Sequence, residues 1–250
     1  MTPDKHNAKL RKLTGLCDDD NIDTATARVI KARMPTPSHF VAIRLSDPSI
    51  RTSVEENVHK AADERLKPAF VSLKKLHLSL LYIHLKDQKQ INKAKTTLQQ
   101  CKTKILSVLP SGAFTLEFKG LDYFYYTQED QTPPKKVPRV LYVKPFGEGG
   151  IKTLHDVARV VRNTFERQGI PSTDTRKWTP HVTVINLNNT QNSEVEGVNE
   201  IPEGSFKDCI NLDYGEQQVS NLYLCQIGTT PDDRLYDVEE KIDFEPGAGR

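Results

Sequence analysis

No stretch of the 250-residue chain approaches the ~18 consecutive apolar residues that a membrane span requires. The N-terminal MTPDKHNAKLRKLTGL also lacks the apolar run of a signal peptide. These absences set the expectation of a cytoplasmic or nuclear protein with no membrane partner. Cysteine is scarce: Cys17, Cys101, Cys209 and Cys225 lie far apart and form no CxxC pair, which argues against a zinc site or a redox motif and leaves them as free thiols. An excess of one charge is missing too. The 35 basic residues nearly cancel the 33 acidic ones, leaving +2, so no global field draws in a polyanion and any anion site must be local.

What remains is 36% hydrophobic residues, enough for the core of one domain. Residues 1–37 carry scattered charge, an Asp18-Asp19-Asp20 run and no aromatic residue, so a flexible N-terminal arm is expected. After Pro35 and Pro37 the pattern becomes regular, and residues 38–230 are read as the folded domain. A strand at Phe40 to Ile43 precedes a helix from about Pro48 to Leu66. A second strand covers Leu76 to His84, and a second helix ends before Pro110. Strands are expected at Phe114 to Phe118, Leu121 to Tyr126 and Val140 to Lys144, then a helix from Ile151 to Gln168 stopped by Gly169. A strand from His181 to Leu187, a polar insertion, and a last strand from Val219 to Ile227 complete an α+β chain. Residues 231–250, acidic and ended by Pro and Gly, read as a C-terminal tail.

One short motif occurs twice: Leu76-His77-Leu78-Ser79-Leu80 and Pro180-His181-Val182-Thr183-Val184. Side chains alternate across a strand, so each copy sends one imidazole and one hydroxyl to a common surface while Leu78, Val182 and Val184 face a core. With seven histidines, one His-x-Ser/Thr is expected by chance; two copies in apolar alternation, about one hundred residues apart, are not. Two such surfaces facing each other hold what phosphodiester cleavage needs. One neutral imidazole takes a proton from the nucleophile, and one imidazolium protonates the leaving oxygen. The hydroxyls of Ser79 and Thr183 would hydrogen-bond the non-bridging oxygens. No Asp/Glu/His set stands at metal-ligand spacing, so neither metal nor cofactor is expected. Flanking residues are candidates for substrate binding. Lys75 precedes His77, and Arg176, Lys177 and the only tryptophan, Trp178, precede His181. A base could stack on Trp178 with the cations at phosphate, or Trp178 could anchor the core with the cations on a solvated turn.

The two motifs, their separation and the order of elements resemble the two-histidine phosphoesterase superfamily, which includes the bacterial 2′,5′-RNA ligase-like proteins. The similarity is to its eukaryotic branch through Pro37-Ser38-His39-Phe40, LQQCK at Leu98 to Lys102, Val140 to Lys144, and Phe165 to Gly169. The resemblance implies a bilobal fold of two pseudo-symmetric sheet-and-helix lobes around a central groove, with His77, Ser79, His181 and Thr183 at the catalytic positions. It also implies nucleotide or short RNA substrates, of the 2′,5′-oligoadenylate or 2′,3′-cyclic phosphate type. A branch member that anchors a kinase does so through an amphipathic helix. Here Leu235, Val238 and Ile242 form only a sparse stripe, so kinase anchoring is not supported. The expected activity is metal-independent phosphodiester cleavage. The alternative is a nucleotide- or RNA-binding module, or a complex subunit, with little turnover.

Overall fold

The computed structural model describes residues 34–109, 111–128, 132–188, 198–228 and 236–244. Residues 1–33 of the expected arm, residues 110, 129–131, 189–197 and 229–230 of the expected domain, and residues 231–235 and 245–250 of the expected tail lie outside the described residues.

Strand β1, His39–Arg44, has five of its six residues buried. Asp47 then caps the helix α1, Pro48–Val54, by accepting the Ser49 N–H, with Pro48 in the first turn where its missing N–H is not needed. The single helix expected to Leu66 is shorter. Glu55–His59 forms a π-helical turn, and Asp63 caps Arg65 N–H to begin a separate 3₁₀ segment, Glu64–Ala69. An internal capping residue thus divides what apolar spacing alone reads as continuous. Strand β2 is His77–Ile83, and α2, Gln88–Val108, starts where Asp87 accepts the Gln90 N–H. Phe114–Gln128 forms one long strand, β3, where two were expected, and β4 runs through Lys135–Phe146. The irregularity between Phe118 and Leu121 is a register shift inside β3 rather than a break.

Helix α3, Glu148–Arg167, buries Leu154, Val157, Val161 and Phe165, each contributing about 1.5–3 kcal/mol on removal from water. Gly169, at φ 71°, takes the left-handed turn after it. Strand β5 is Val182–Asn186, the expected last strand is β7 (Asn221–Gln226), and a strand that was not expected, β6 (Asp213–Val219), precedes it. Within the expected tail, Val238–Asp243 forms β8 on β7, and Phe244 after it is fully buried.

The eight strands form one antiparallel sheet in the order β6-β3-β4-β5-β2-β1-β7-β8. At its centre β2 and β5, the two motif strands, are joined through one register pair, Leu78 with Val182. Helix α3 packs on β2, β3 and β4, α2 packs on α3 and β8, and α1 lies on β6. The main core takes Val41, Ile43, Leu78, Leu80, Val182 and Val184, while Phe40, Ala42 and Cys225 form a smaller cluster on the opposite face with Tyr82, Tyr223 and Tyr236. The groove described below opens on that second face. Among the described residues Cys101, Cys209 and Cys225 are free and buried; Cys17 lies outside them.

Candidate functional site

Antiparallel pairing of Leu78 with Val182 puts His77 opposite Thr183 and Ser79 opposite His181 on the face turned from the helices. All four side chains line one groove of about 330 Å³. Neighbouring side chains in such a pair sit about 5 Å apart at Cβ, so each imidazole has a hydroxyl of the other strand beside it.

Both histidines are fixed in the same way. His77 Nδ1 lies 2.8 Å from the carbonyl of Lys75, and His181 Nδ1 lies 2.7 Å from the carbonyl of Thr179. A carbonyl only accepts, so Nδ1 carries the proton in each ring. The neutral imidazole then has its lone pair at Nε2, and the charged one has an N–H there. Either state is ready for proton transfer at the same atom. Two aromatic rings pack on each imidazole. His77 has Phe40 at 4.8 Å and Tyr236 edge-on at 5.3 Å, and His181 has Phe124 at 4.8 Å and Tyr142 at 5.4 Å, both T-shaped. This enclosure removes water and disfavours imidazolium. Burial takes His77 down to about 4, against a smaller upward pull from the Lys75 carbonyl. His181 is also lowered, by burial first, with its Thr179 hydrogen bond and Asp174 pulling upward and Arg176 pulling downward.

The two strands share an irregularity. Val41 pairs with Leu81 but Ala42 pairs with Ser79, which leaves Leu80 as an extra residue; Leu141 pairs with Ile185 but Tyr142 pairs with Thr183, which leaves Val184 extra. Each is a β-bulge one residue after the hydroxyl, and each resets the alternation. Leu80 with Leu81, and Val184 with Ile185, therefore both face the core, and the groove receives Tyr82 and Asn186 as a third member of each motif. The bulged carbonyls are bonded outside the ladder: Leu80 by Arg162 Nε at 2.8 Å and Val184 by the Val71 N–H at 3.0 Å. Ser79 donates to the Tyr82 hydroxyl at 3.0 Å, and burial raises the Tyr82 phenol, which keeps it neutral.

The flanking candidates separate. Lys75 is 9% exposed and lines the groove, with its ammonium 5.7 Å from the centre of the Tyr236 ring. Arg176 is exposed and forms a two-point pair with Asp174, which raises its already high pKa; Lys177 is also exposed, and neither is among the groove-lining residues. Trp178 takes the packing role. It lies against the core, donates its indole N–H to the Ser79 carbonyl at 2.9 Å, and has the Arg162 guanidinium over its ring.

Tyr82, Asn186 and Tyr236 were not identified from the sequence. The doubled apolar residues Leu80-Leu81 and Val184-Ile185 were the available signal for the first two. Tyr236 had none, because its segment reads as a tail. Among the described residues no group of three or more His, Cys, Asp or Glu side chains could hold a metal ion, and no helix is long and apolar enough to cross a membrane.

A family profile described as the AKAP7 2′5′ RNA ligase-like domain matches residues 37–244. Human A-kinase anchor protein 7 isoform gamma is 25% identical over 207 residues, covering 82% of this chain; the chain spans 56% of that relative's length. The RNA 2′,3′-cyclic phosphodiesterase of Aquifex aeolicus strain VF5 is 23% identical over 189 residues, 76% of this chain and 88% of that protein. Among solved structures, TT0787 of Thermus thermophilus superposes with a TM-score of 0.54 at 19% identity, over 84% of this chain and 99% of that one. Escherichia coli LigT complexed with ATP gives 0.53 at 15% identity, over 84% and 98%. These structural likenesses establish a shared fold.

Proposed function

The chain belongs to the AKAP7 2′5′ RNA ligase-like domain family, within the two-histidine phosphoesterase superfamily, and from that membership we propose that it cleaves nucleotide or RNA phosphodiesters with His77 and His181 as paired base and acid. The observation that carries this reading is the matched anchoring of the two imidazoles. Each Nδ1 is held on the carbonyl two residues earlier, and both rings line one groove.

In the proposed step Nε2 of His77 takes the proton of the attacking hydroxyl, and Nε2–H of His181 gives one to the departing oxygen. Burial keeps His77 neutral down to about 4, which suits the base; His181 is also lowered by burial, but the Thr179 carbonyl on its Nδ1–H opposes that shift, and it takes the acid role. The Thr183 hydroxyl, and the Ser79 hydroxyl once it turns from Tyr82 to substrate, donate to the non-bridging oxygens as charge builds in the five-coordinate transition state, and Lys75 supplies a positive charge from the groove wall. The donor set is imidazole, hydroxyl and ammonium, and the step as written takes no metal. Two four-stranded halves, meeting at the Leu78–Val182 pair and carrying equivalent bulges, support the bilobal, pseudo-symmetric reading of the sheet.

For a 2′,5′-linked substrate, the adjacent 3′-hydroxyl is an internal nucleophile at high effective concentration, and its attack yields a 2′,3′-cyclic phosphate. The test is a substrate panel of 2′,5′-oligoadenylate, 3′,5′-oligoadenylate and 2′,3′-cyclic nucleotides, with products resolved by chromatography. Turnover of at least one, and its loss in His77→Ala and His181→Ala, is expected. Binding without turnover across the panel would replace the enzyme with a nucleotide- or RNA-binding module.

A further inference from the structure

We propose that Tyr236 is a positioning residue for His77, closing the groove on that side so that the imidazole keeps both its orientation and its dry surroundings. The inference rests on the proposed catalytic role of His77. Its starting point is an asymmetry between the two imidazole sites. The rings against His181, Phe124 and Tyr142, both belong to long interior strands of the sheet. Of the two rings against His77, Phe40 belongs to interior strand β1, but Tyr236 precedes the six-residue edge strand β8.

Tyr236 meets His77 edge-on at 5.3 Å and 86°, and meets Phe40 edge-on at 5.1 Å and 86°, while Phe40 tilts onto His77 at 4.8 Å. The three rings are mutually in contact. The Lys75 carbonyl fixes Nδ1, and rings on two sides oppose tilting of the imidazole about that bond. Tyr236 also lines the groove, so removing its ring would admit water to the imidazole. Among the described residues, the titratable and charged groups around His77 are Lys75, Arg44 opposite it in register on β1, His181 just before β5, Tyr82 on its own strand, and Tyr236 itself. None is a carboxylate, so burial is what holds the imidazole neutral, and burial is what Tyr236 supplies.

The direction of the effect follows. Wetting His77 raises its pKa toward the free value, and a base must be neutral, so the acid limb of kcat/KM moves to higher pH. Tyr236→Ala is expected to lose roughly fivefold in kcat/KM at about pH 5 and little at about pH 7.5, whereas a general loss of structure lowers both alike. Tyr236→Phe keeps the ring and is expected to match the parent. Tyr236→Gln, which retains bulk but wets the site, should move the limb as alanine does and covers the case in which alanine does not fold. In parallel, an NMR titration of His77, its resonance assigned by absence in His77→Ala, reads the same shift without substrate. An unmoved His77 titration and acid limb in folded Tyr236→Ala or Tyr236→Gln overturns the proposal, as does a loss in Tyr236→Phe equal to that in alanine. The paired-histidine reading is tested separately. If His77→Ala stays active, that reading fails whatever Tyr236 does, and if His77→Ala is dead while the Tyr236 variants are unshifted, only the positioning role fails.

Discussion

Replacing His77 or His181 with alanine removes a proton carrier from a groove wall rather than a filler from the core. Each change is expected to lower turnover by about 10² to 10⁴ while the far-ultraviolet circular dichroism is preserved. Ser79→Ala and Thr183→Val should cost less, about 10 to 10³, since each deletes one donor to the phosphate and leaves both imidazoles in place. Steady-state rates on one substrate rank the four variants, and silence of both hydroxyl changes would hand phosphate binding to other donors such as Lys75. The pH profile adds an independent check. Both imidazoles are lowered by burial, so the neutral base appears as pH rises through about 4 and the protonated acid disappears below the ordinary imidazole value of about 6.5. The maximum of kcat/KM is expected between those values, with the limbs belonging to the pair. A rate still rising above about pH 8 would contradict it. The four motif residues were legible because strand alternation is a strict local rule. Tyr82 and Asn186 were not, because a bulge breaks that rule, and whether a doubled apolar pair bulges is decided by partners distant in sequence.

Those partners operate at the scale of elements. Arg162 on α3 and Trp178 before β5 bond the Leu80 and Ser79 carbonyls, which the β5 ladder does not reach. Trp178→Phe and Arg162→Met each leave one of these buried acceptors unpaired, at a cost of about 1–3 kcal/mol. Urea unfolding should register that loss, and activity should fall with it as the motif strand shifts. Wild-type midpoints in both variants would mean that water takes the vacant acceptors. Apolar spacing marked α2 and α3 well, because each presents one long buried face. It misjudged α1, where Asp63 starts a new turn inside an apparently continuous helix, and it split β3, where the shift at Phe118 to Leu121 resembles a loop. Strand β6, DYGEQQV, was missed altogether: only Tyr214, Gln217 and Val219 are buried, and Gln217 is kept by bonds to the β1–α1 turn at Ser46 and Arg44 rather than by hydrophobicity.

At the scale of the molecule, the segment expected as a tail is structural wherever it is described. β8 completes the sheet, Phe244 is fully buried, and its N–H bonds the Ser220 carbonyl at 2.7 Å. Phe244→Ala should therefore cost about 3–5 kcal/mol, as a core truncation does, read as a lowered thermal midpoint. No change would return 238–244 to the status of a tail. Short length, acidic residues and terminal Pro and Gly hid this strand, because an edge strand needs apolar residues on only one face and Ile242 is nearly all it shows.

The central claim is that two imidazoles move the protons with no metal in the step, and one assay addresses it. Turnover of a 2′,5′-oligoadenylate is followed in excess EDTA, then with Mg²⁺, Mn²⁺ or Zn²⁺ restored, for the parent, His77→Ala and His181→Ala. The account predicts an undiminished parental rate in EDTA, no gain from any added ion, and loss of turnover in both variants throughout. Activity that collapses on chelation and returns with a divalent ion would contradict it, even with both histidines essential, since they would then act as ligands.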